Sequence, residues 1–152
     1  MPARTTPALL TLLATTVLLS SCSLLNPGPP RDADGAITET TVASTRYLAV
    51  DDCFSFTSDP AEVELAPCGD AHTHVVIGQG TLTPADVDTA GGMQNAVSAS
   101  CSESFAAFKD EVLAAGGTKP DQEFVVVKQE VDEQEVFAYS CVATDAPVTA
   151  AG

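Results

Sequence analysis

The sequence predicts an α+β fold: a small antiparallel sheet with one principal helix packed on it, stapled by two disulfides. Three observations carry this. One long segment has apolar residues at helical spacing. Six short segments combine β-branched or aromatic residues with flanking turn signals, and four cysteines fall among them.

The chain has 152 residues, and its first 30 carry a single charge, Arg4. From Ala8 to Leu19 every residue is apolar or threonine. A run of about a dozen residues suits the core of a secretory signal and is short for a spanning helix, which needs ~20. Leu19-Ser20-Ser21-Cys22 resembles a bacterial lipobox, with small residues before a cysteine. The resemblance implies removal of residues 1–21 and a diacylglycerol thioether on Cys22, the new N-terminus. Two or more acyl chains hold a protein stably at a membrane, whereas one does so only marginally. Five cysteines then resolve into one anchor and four that can pair.

Residues 22–45 follow as a tether. "NPGPPRDADGAITETTVAST" is proline, glycine, threonine and acid without hydrophobic period, which predicts a flexible segment with a reach on the order of 25 Å. The domain itself is expected over 46–143, and residues 144–152 as a disordered tail.

Within the domain, "RYLAV" and "CFSF" read as strands around an Asp51-Asp52 turn. "EVELAPC" places Val63, Leu65 and Pro67 at one parity. "HTHVVIGQGTL" is apolar at its centre and bounded by Gly78 and Gly80, which predicts a buried strand with a bulge or an end there. "TPADVDTAGG" reads as loop. Val97, Cys101, Phe105, Phe108 and Val112 then recur at steps of four, four, three and four, one apolar stripe about four helical turns long. Gly116-Gly117 and Pro120 end that helix. "EFVVVKQEV" and "EQEVFAYSCVA" read as two strands around Asp132-Glu133.

Charge excludes some partners. Beyond residue 21 lie five bases and all 21 acids, a formal charge of −16. Nucleic-acid binding wants a basic face, so no nucleic-acid partner is expected. Anionic headgroups repel such a surface, so membrane attachment falls to the N-terminal lipid. The acidity reads most simply as a solvated surface, with a docking face for a basic partner or for divalent cations as the sharper alternative.

Cys53, Cys68, Cys101 and Cys141 permit three pairings. Spacing favours Cys53–Cys68, closing one hairpin-like unit, and Cys101–Cys141, tying the helix stripe to the last strand. Such pairs persist in an oxidising space outside the cytosol. The gaps of 15, 33 and 40 residues contain no tight CxxC pair, so neither a structural zinc site nor a redox-active dithiol is expected.

His72 and His74 are the only histidines. On a strand, spacing i and i+2 puts both on one face, with Asp70 at matching parity. That trio is the candidate binding constellation and the basis of an alternative reading, a small-ligand or divalent-metal-binding lipoprotein. "DVDTAGG" begins like a calcium loop, but its twelfth position is Val97 where a glutamate is required. No GxSxG, SxxK or HExxH motif is present. The expectation is a domain without enzymatic activity, without cofactor and without a metal.

The fragments "VDDCFSF" (Val50–Phe56), "APCGDAHTHVVIG" (Ala66–Gly78), Cys101 with "FAAF" (Phe105–Phe108), and the closing Cys141 together resemble the septum-formation family of actinobacterial envelope proteins. The likeness covers roughly residues 48–143 and places the family's histidine at His72. Ala71 stands where that pattern has proline, and "EVFAYSC" where it has a tryptophan and "GDR". The resemblance implies an extracytoplasmic module of a membrane-attached protein, with no assigned enzyme activity, an envelope-protein partner and a connection to cell division.

Overall fold

The computed structural model describes residues 28–144. The expected signal segment 1–21, the expected attachment residue Cys22, the start of the expected tether (23–27) and residues 145–152 lie outside the described residues. Six strands form one sheet: β1 (Thr41–Ser44), β2 (Cys53–Phe56), β3 (Glu62–Ala66), β4 (His74–Leu82), β5 (Gln122–Val131) and β6 (Gln134–Thr144). Two helices, α1 (Pro84–Ala90) and α2 (Met93–Ala114), connect β4 to β5. The sheet order is β1-β3-β2-β4-β6-β5, and every neighbouring pair is antiparallel. This is the small α+β sheet-and-helix fold expected, with α1 as an additional short helix.

Side chains of directly paired residues share a sheet face. Phe54↔Leu65, Phe56↔Val63 and Val76↔Val142 therefore define one face, and Gly78↔Cys141, Gly80↔Tyr139 and Leu82↔Phe137 the other. The register shift between Val76 and Gly78 is the bulge that the glycine-bounded strand predicted. It switches the parity of β4, so that Val76 and Gly78, two residues apart, lie on opposite faces. On the first face Phe54, Val63, Leu65, Val76 and Val142 are fully buried, and Ile37 and Leu48 pack over them. On the second, Ala96, Val97 and Cys101 of α2 bury against Leu82 and Cys141.

Two glycines let the second layer close down. A Cβ on Gly78 would stand 2.8 Å from Ser104 Oγ of α2, and one on Gly80 would stand 2.6 Å from Tyr139 Cζ. The phenol ring thus fills the space over Gly80 on the neighbouring strand.

The helix stripe is half realised. Val97 and Cys101 are buried, whereas Phe105, Phe108 and Val112 are only half-buried. The helix ends as the sequence indicated: Gly116 adopts φ 81°, its N–H reaches Leu113 O at 3.1 Å, and Gly117 N–H reaches Val112 O at 2.8 Å. These two bonds satisfy carbonyls that the last turn leaves open. Asp132 (φ 51°) and Glu133 (φ 62°) form the two-residue turn joining β5 to β6, as their position predicted. Two positive φ values match the right-handed twist of a hairpin.

Both expected disulfides are present, Cys53–Cys68 with Cα atoms 5.2 Å apart and Cys101–Cys141 with 5.4 Å. The second joins α2 to β6 inside the second core layer.

Four sequence expectations are corrected. Residues 28–45 are not free tether. Arg31 and Ile37 form a β-bridge, Asp32 Oδ1 accepts the N–H groups of Asp34 and Ala36, and Thr41–Ser44 pair with Glu62–Leu65 of β3. Main-chain pairing, one buried isoleucine and one ion pair hold the segment, none of which leaves a hydrophobic period. "RYLAV" is not a strand: Thr45–Tyr47 form a 3₁₀ turn, and Arg31 and Gln79 capture the carbonyls of Tyr47 and Leu48. "TPADVDTA" is α1 rather than loop. Thr83 Oγ1 accepts the Asp86 N–H while the Asp86 carboxylate accepts the Thr83 N–H, with Pro84 at the first position. Those bonds hold the Asp86 carboxyl below its ordinary pKa, so the cap is complete at neutral pH and is lost as acid protonates it. Finally, Thr144 belongs to β6 rather than to the tail; its N–H reaches Asp121 O at 3.0 Å and its hydroxyl accepts the Asp121 N–H at 2.7 Å.

Candidate functional site

The two histidines sit in different settings. His72 precedes β4 instead of lying on it, and it is buried at 6 % exposure. Its Nδ1 lies 2.8 Å from the carbonyl oxygen of Asp70. A carbonyl only accepts, so Nδ1 carries the proton and the ring is turned back onto its own loop. His74 opens β4. Its ring stacks on Phe54 at 5.5 Å and meets the edge of Phe56 at 4.7 Å. Its Nδ1 lies 2.6 Å from Thr73 Oγ1, and its Nε2 3.6 Å from the Glu123 carboxylate of β5. The same-face expectation for Asp70, His72 and His74 is corrected accordingly, because the strand begins only at His74. Among the described residues, no three histidine, cysteine, aspartate or glutamate side chains converge as a metal site.

A better-formed site lies on the first sheet face, beyond the part that Ile37 covers. There β4, β6 and β5 continue without a helix above them. Register fixes which side chains point to it: Gln79↔Ser140 and Thr81↔Ala138 from β4 and β6, with Val125↔Ser140 and Val127↔Ala138 from β5. These residues floor a groove of about 370 Å³, walled by the segment Thr45–Leu48. The floor is apolar at Val125, Val127 and Ala138, and the far rim is Thr81 and Gln129.

The wall is built from distant residues. Arg31 grips the Asp52 carboxylate with both terminal nitrogens, at 2.6 and 2.7 Å. The same guanidinium donates to the carbonyls of Gly35 (2.7 Å) and Tyr47 (3.0 Å). Asp52 is 3 % exposed and also accepts the Ala49 N–H at 2.7 Å. The hydrogen bond to Asp52, reinforced by its charge, raises the Arg31 pKa against the opposing effect of burial. From the floor, Gln79 Nε2 donates to Leu48 O at 2.7 Å and to Ser140 Oγ at 2.9 Å. The Thr45–Leu48 wall is therefore pinned to the sheet on one side and to the Arg31–Asp52 pair on the other.

Arg46 stands on this wall with its side chain exposed. It has no hydrogen-bond or ion-pair partner among the described residues. Arg31, Lys109 and Lys128, by contrast, each have a carboxylate within 3.8 Å, and Lys119, which like Arg46 has no ion pair among the described residues, does not line the groove. In a chain with six bases and 21 acids, Arg46 places an exposed cation, without a carboxylate partner among the described residues, beside an apolar floor.

A second, more open cleft of about 440 Å³ lies under the half-buried end of the α2 stripe. Ile77, Ala107 and Phe108 line it, with Asp51, Glu103 and Glu111 at its rim. Among the described residues α2 packs on β4, β6 and β5, and Phe108 at this cleft stays half-buried.

Sequence reading missed the groove. Arg46 sat in a segment assigned to a strand, and Val125 and Val127 were part of an undivided valine run. The usable signal was alternation: once β5 is known to carry α2 on one face, Val125, Val127 and Gln129 necessarily take the other. No family model, curated protein or solved structure matches the chain. Among the described residues no helix is long and apolar enough to cross a membrane.

Proposed function

We propose that the protein is a non-enzymatic, lipid-anchored module on the outer face of the cell membrane that binds another envelope protein through the groove on its open sheet face. The observation that carries this reading is the uncovered β4-β6-β5 face. A folded domain normally buries such a face, and here an apolar floor stays open beside a wall held by buried ionic contacts. The two disulfides support an oxidising location. The lipobox at Leu19–Cys22 supports the anchor, and the resemblance to septum-formation proteins points to the division site as the place of action.

Site-specific photo-crosslinking in living cells tests it. A photoreactive residue replacing Val127, in the groove, should join the protein to an exported or membrane-bound envelope protein. The same residue replacing Val42, on the opposite edge of the sheet, should not. Cross-links from Val127 only to cytosolic proteins, or equal cross-linking from both positions, would contradict the reading.

A further inference from the structure

We propose that the free edge of β5 accepts an extended segment of the partner as a seventh strand, with one acidic side chain of that segment paired to Arg46. This rests on the reading of the domain as a protein-binding module and names the chemistry of what it binds.

The first support is the edge itself. β5 ends the sheet and is hydrogen-bonded along its ten residues to β6 alone. Among the described residues no backbone group bonds to its outer side. Alternate residues of such a strand aim their N–H and C=O groups outward, a template for one more strand. At ~4.8 Å spacing an added strand sets every second side chain on the groove face. Those side chains fall beside Val125 and Val127, and the Thr45–Tyr47 turn that carries Arg46 packs against β5 on the same side. Main-chain pairing gives such a complex affinity, and the alternate pockets give it selectivity.

The second support is charge. Arg46 is unmatched at the groove, so a carboxylate on the incoming segment completes it. One acidic residue, rather than a run of them, is what the rest of the molecule tolerates. The chain carries a net charge of −15, and a polyacidic segment would be repelled. The same charge disfavours a second copy as the occupant. Glu123, Lys128 and Glu130 on β5 add the kind of edge charge that discourages self-pairing.

Two labelled probe peptides test the proposal, both acetylated and amidated. One reads valine–threonine–glutamate–threonine–valine, and the other has lysine at its centre. Alternation puts both valines and the central residue on one face. Fluorescence anisotropy against the full-length protein in detergent should show the glutamate peptide binding at least tenfold more tightly than the lysine peptide. Arg46→Glu should reverse the preference, and a gain for the lysine peptide in that variant also shows that it is folded. Hydrogen exchange should slow in β5 and not in β1 when the glutamate peptide is added.

Equal binding of both peptides, or no protection of β5, would overturn the proposal. So would β5 protection that rises with protein concentration alone, which would make a second copy the occupant. A groove cross-link in cells without peptide selectivity would leave the binding role standing and remove this inference. Peptide selectivity without an envelope partner would do the reverse.

Discussion

Replacing Cys101 and Cys141 together with alanine is expected to remove about 4 kcal/mol of stability, the loop-closure value for a span of 40 residues. The bridge is 0–2 % exposed at both ends and sits in the second core layer, so the substitutions also leave space among Val97, Leu82 and their neighbours. Single domains are commonly stable by only 5–15 kcal/mol in total. At ~4 °C per kcal/mol for a domain of about this size, the melting temperature should fall by roughly 15 °C. Thermal unfolding followed by circular dichroism measures this. The Cys53–Cys68 pair closes only 15 residues, and its Cys68 end is exposed, so its removal should cost less, about 3 kcal/mol. Equal losses for the two pairs would contradict the placement of Cys101–Cys141 as the main staple.

Arg31→Met is expected to be the most damaging single change outside the hydrophobic core. It leaves the Asp52 carboxylate, 3 % exposed, with only the Ala49 N–H as a donor among the described residues. Breaking a buried pair from one side typically costs 3–5 kcal/mol. Arg31 is itself 23 % exposed, so water relieves part of the loss, and about 2–3 kcal/mol is expected. Removing the stranded charge should restore much of it: the double variant Arg31→Met/Asp52→Asn should be more stable than Arg31→Met alone. Because the hydrogen bond to Asp52 raises the Arg31 pKa above its ordinary value, its contribution is fully present below that ordinary value and is lost only as pH rises through the folded one. Chemical denaturation at neutral pH separates these variants. A single variant as stable as wild type would show that the 28–48 segment does not depend on this pair. Because the pair also pins the groove wall, Arg31→Met should weaken binding at the groove as well.

Much of this architecture was legible in the sequence, and the parts that were not share a physical cause. β2, β3, β4, β5, β6 and α2 announce themselves through period and stop signals, because each buries a stripe or a face. Val63 and Leu65 alternate with Glu62 and Glu64, and the burial follows that alternation residue by residue. The chain from Gly28 to Leu48 does not announce itself. Its order comes from long-range pairing: Thr41–Ser44 with β3, Arg31 with Asp52, and Ile37 with a core made by other strands. No local window contains those partners. α1 is the instructive exception, since Thr83, Pro84 and Asp86 are a complete start signal. It opens a helix of only seven residues, which Gly91 closes at φ 76°. The histidines mislead for a related reason. Parity arguments assume a strand on both residues, and the chain bends at Thr73 between them.

The groove could not be read in advance because a concavity depends on which face the helices leave bare. Periodicity tells that a strand has two faces. It does not tell that α2 takes the side of Phe124 and Val126 and leaves Val125 and Val127 open beside Arg46.

Export and lipid anchoring are tested most directly by one measurement: the intact mass of the protein extracted with detergent from the membranes of its own cells. The predicted species begins at Cys22, carries a thioether-linked diacylglycerol, and lacks the hydrogens of four thiols joined in two bridges. A protein recovered from the soluble cytosolic fraction, still beginning at Met1 and with all five cysteines reduced, would contradict it.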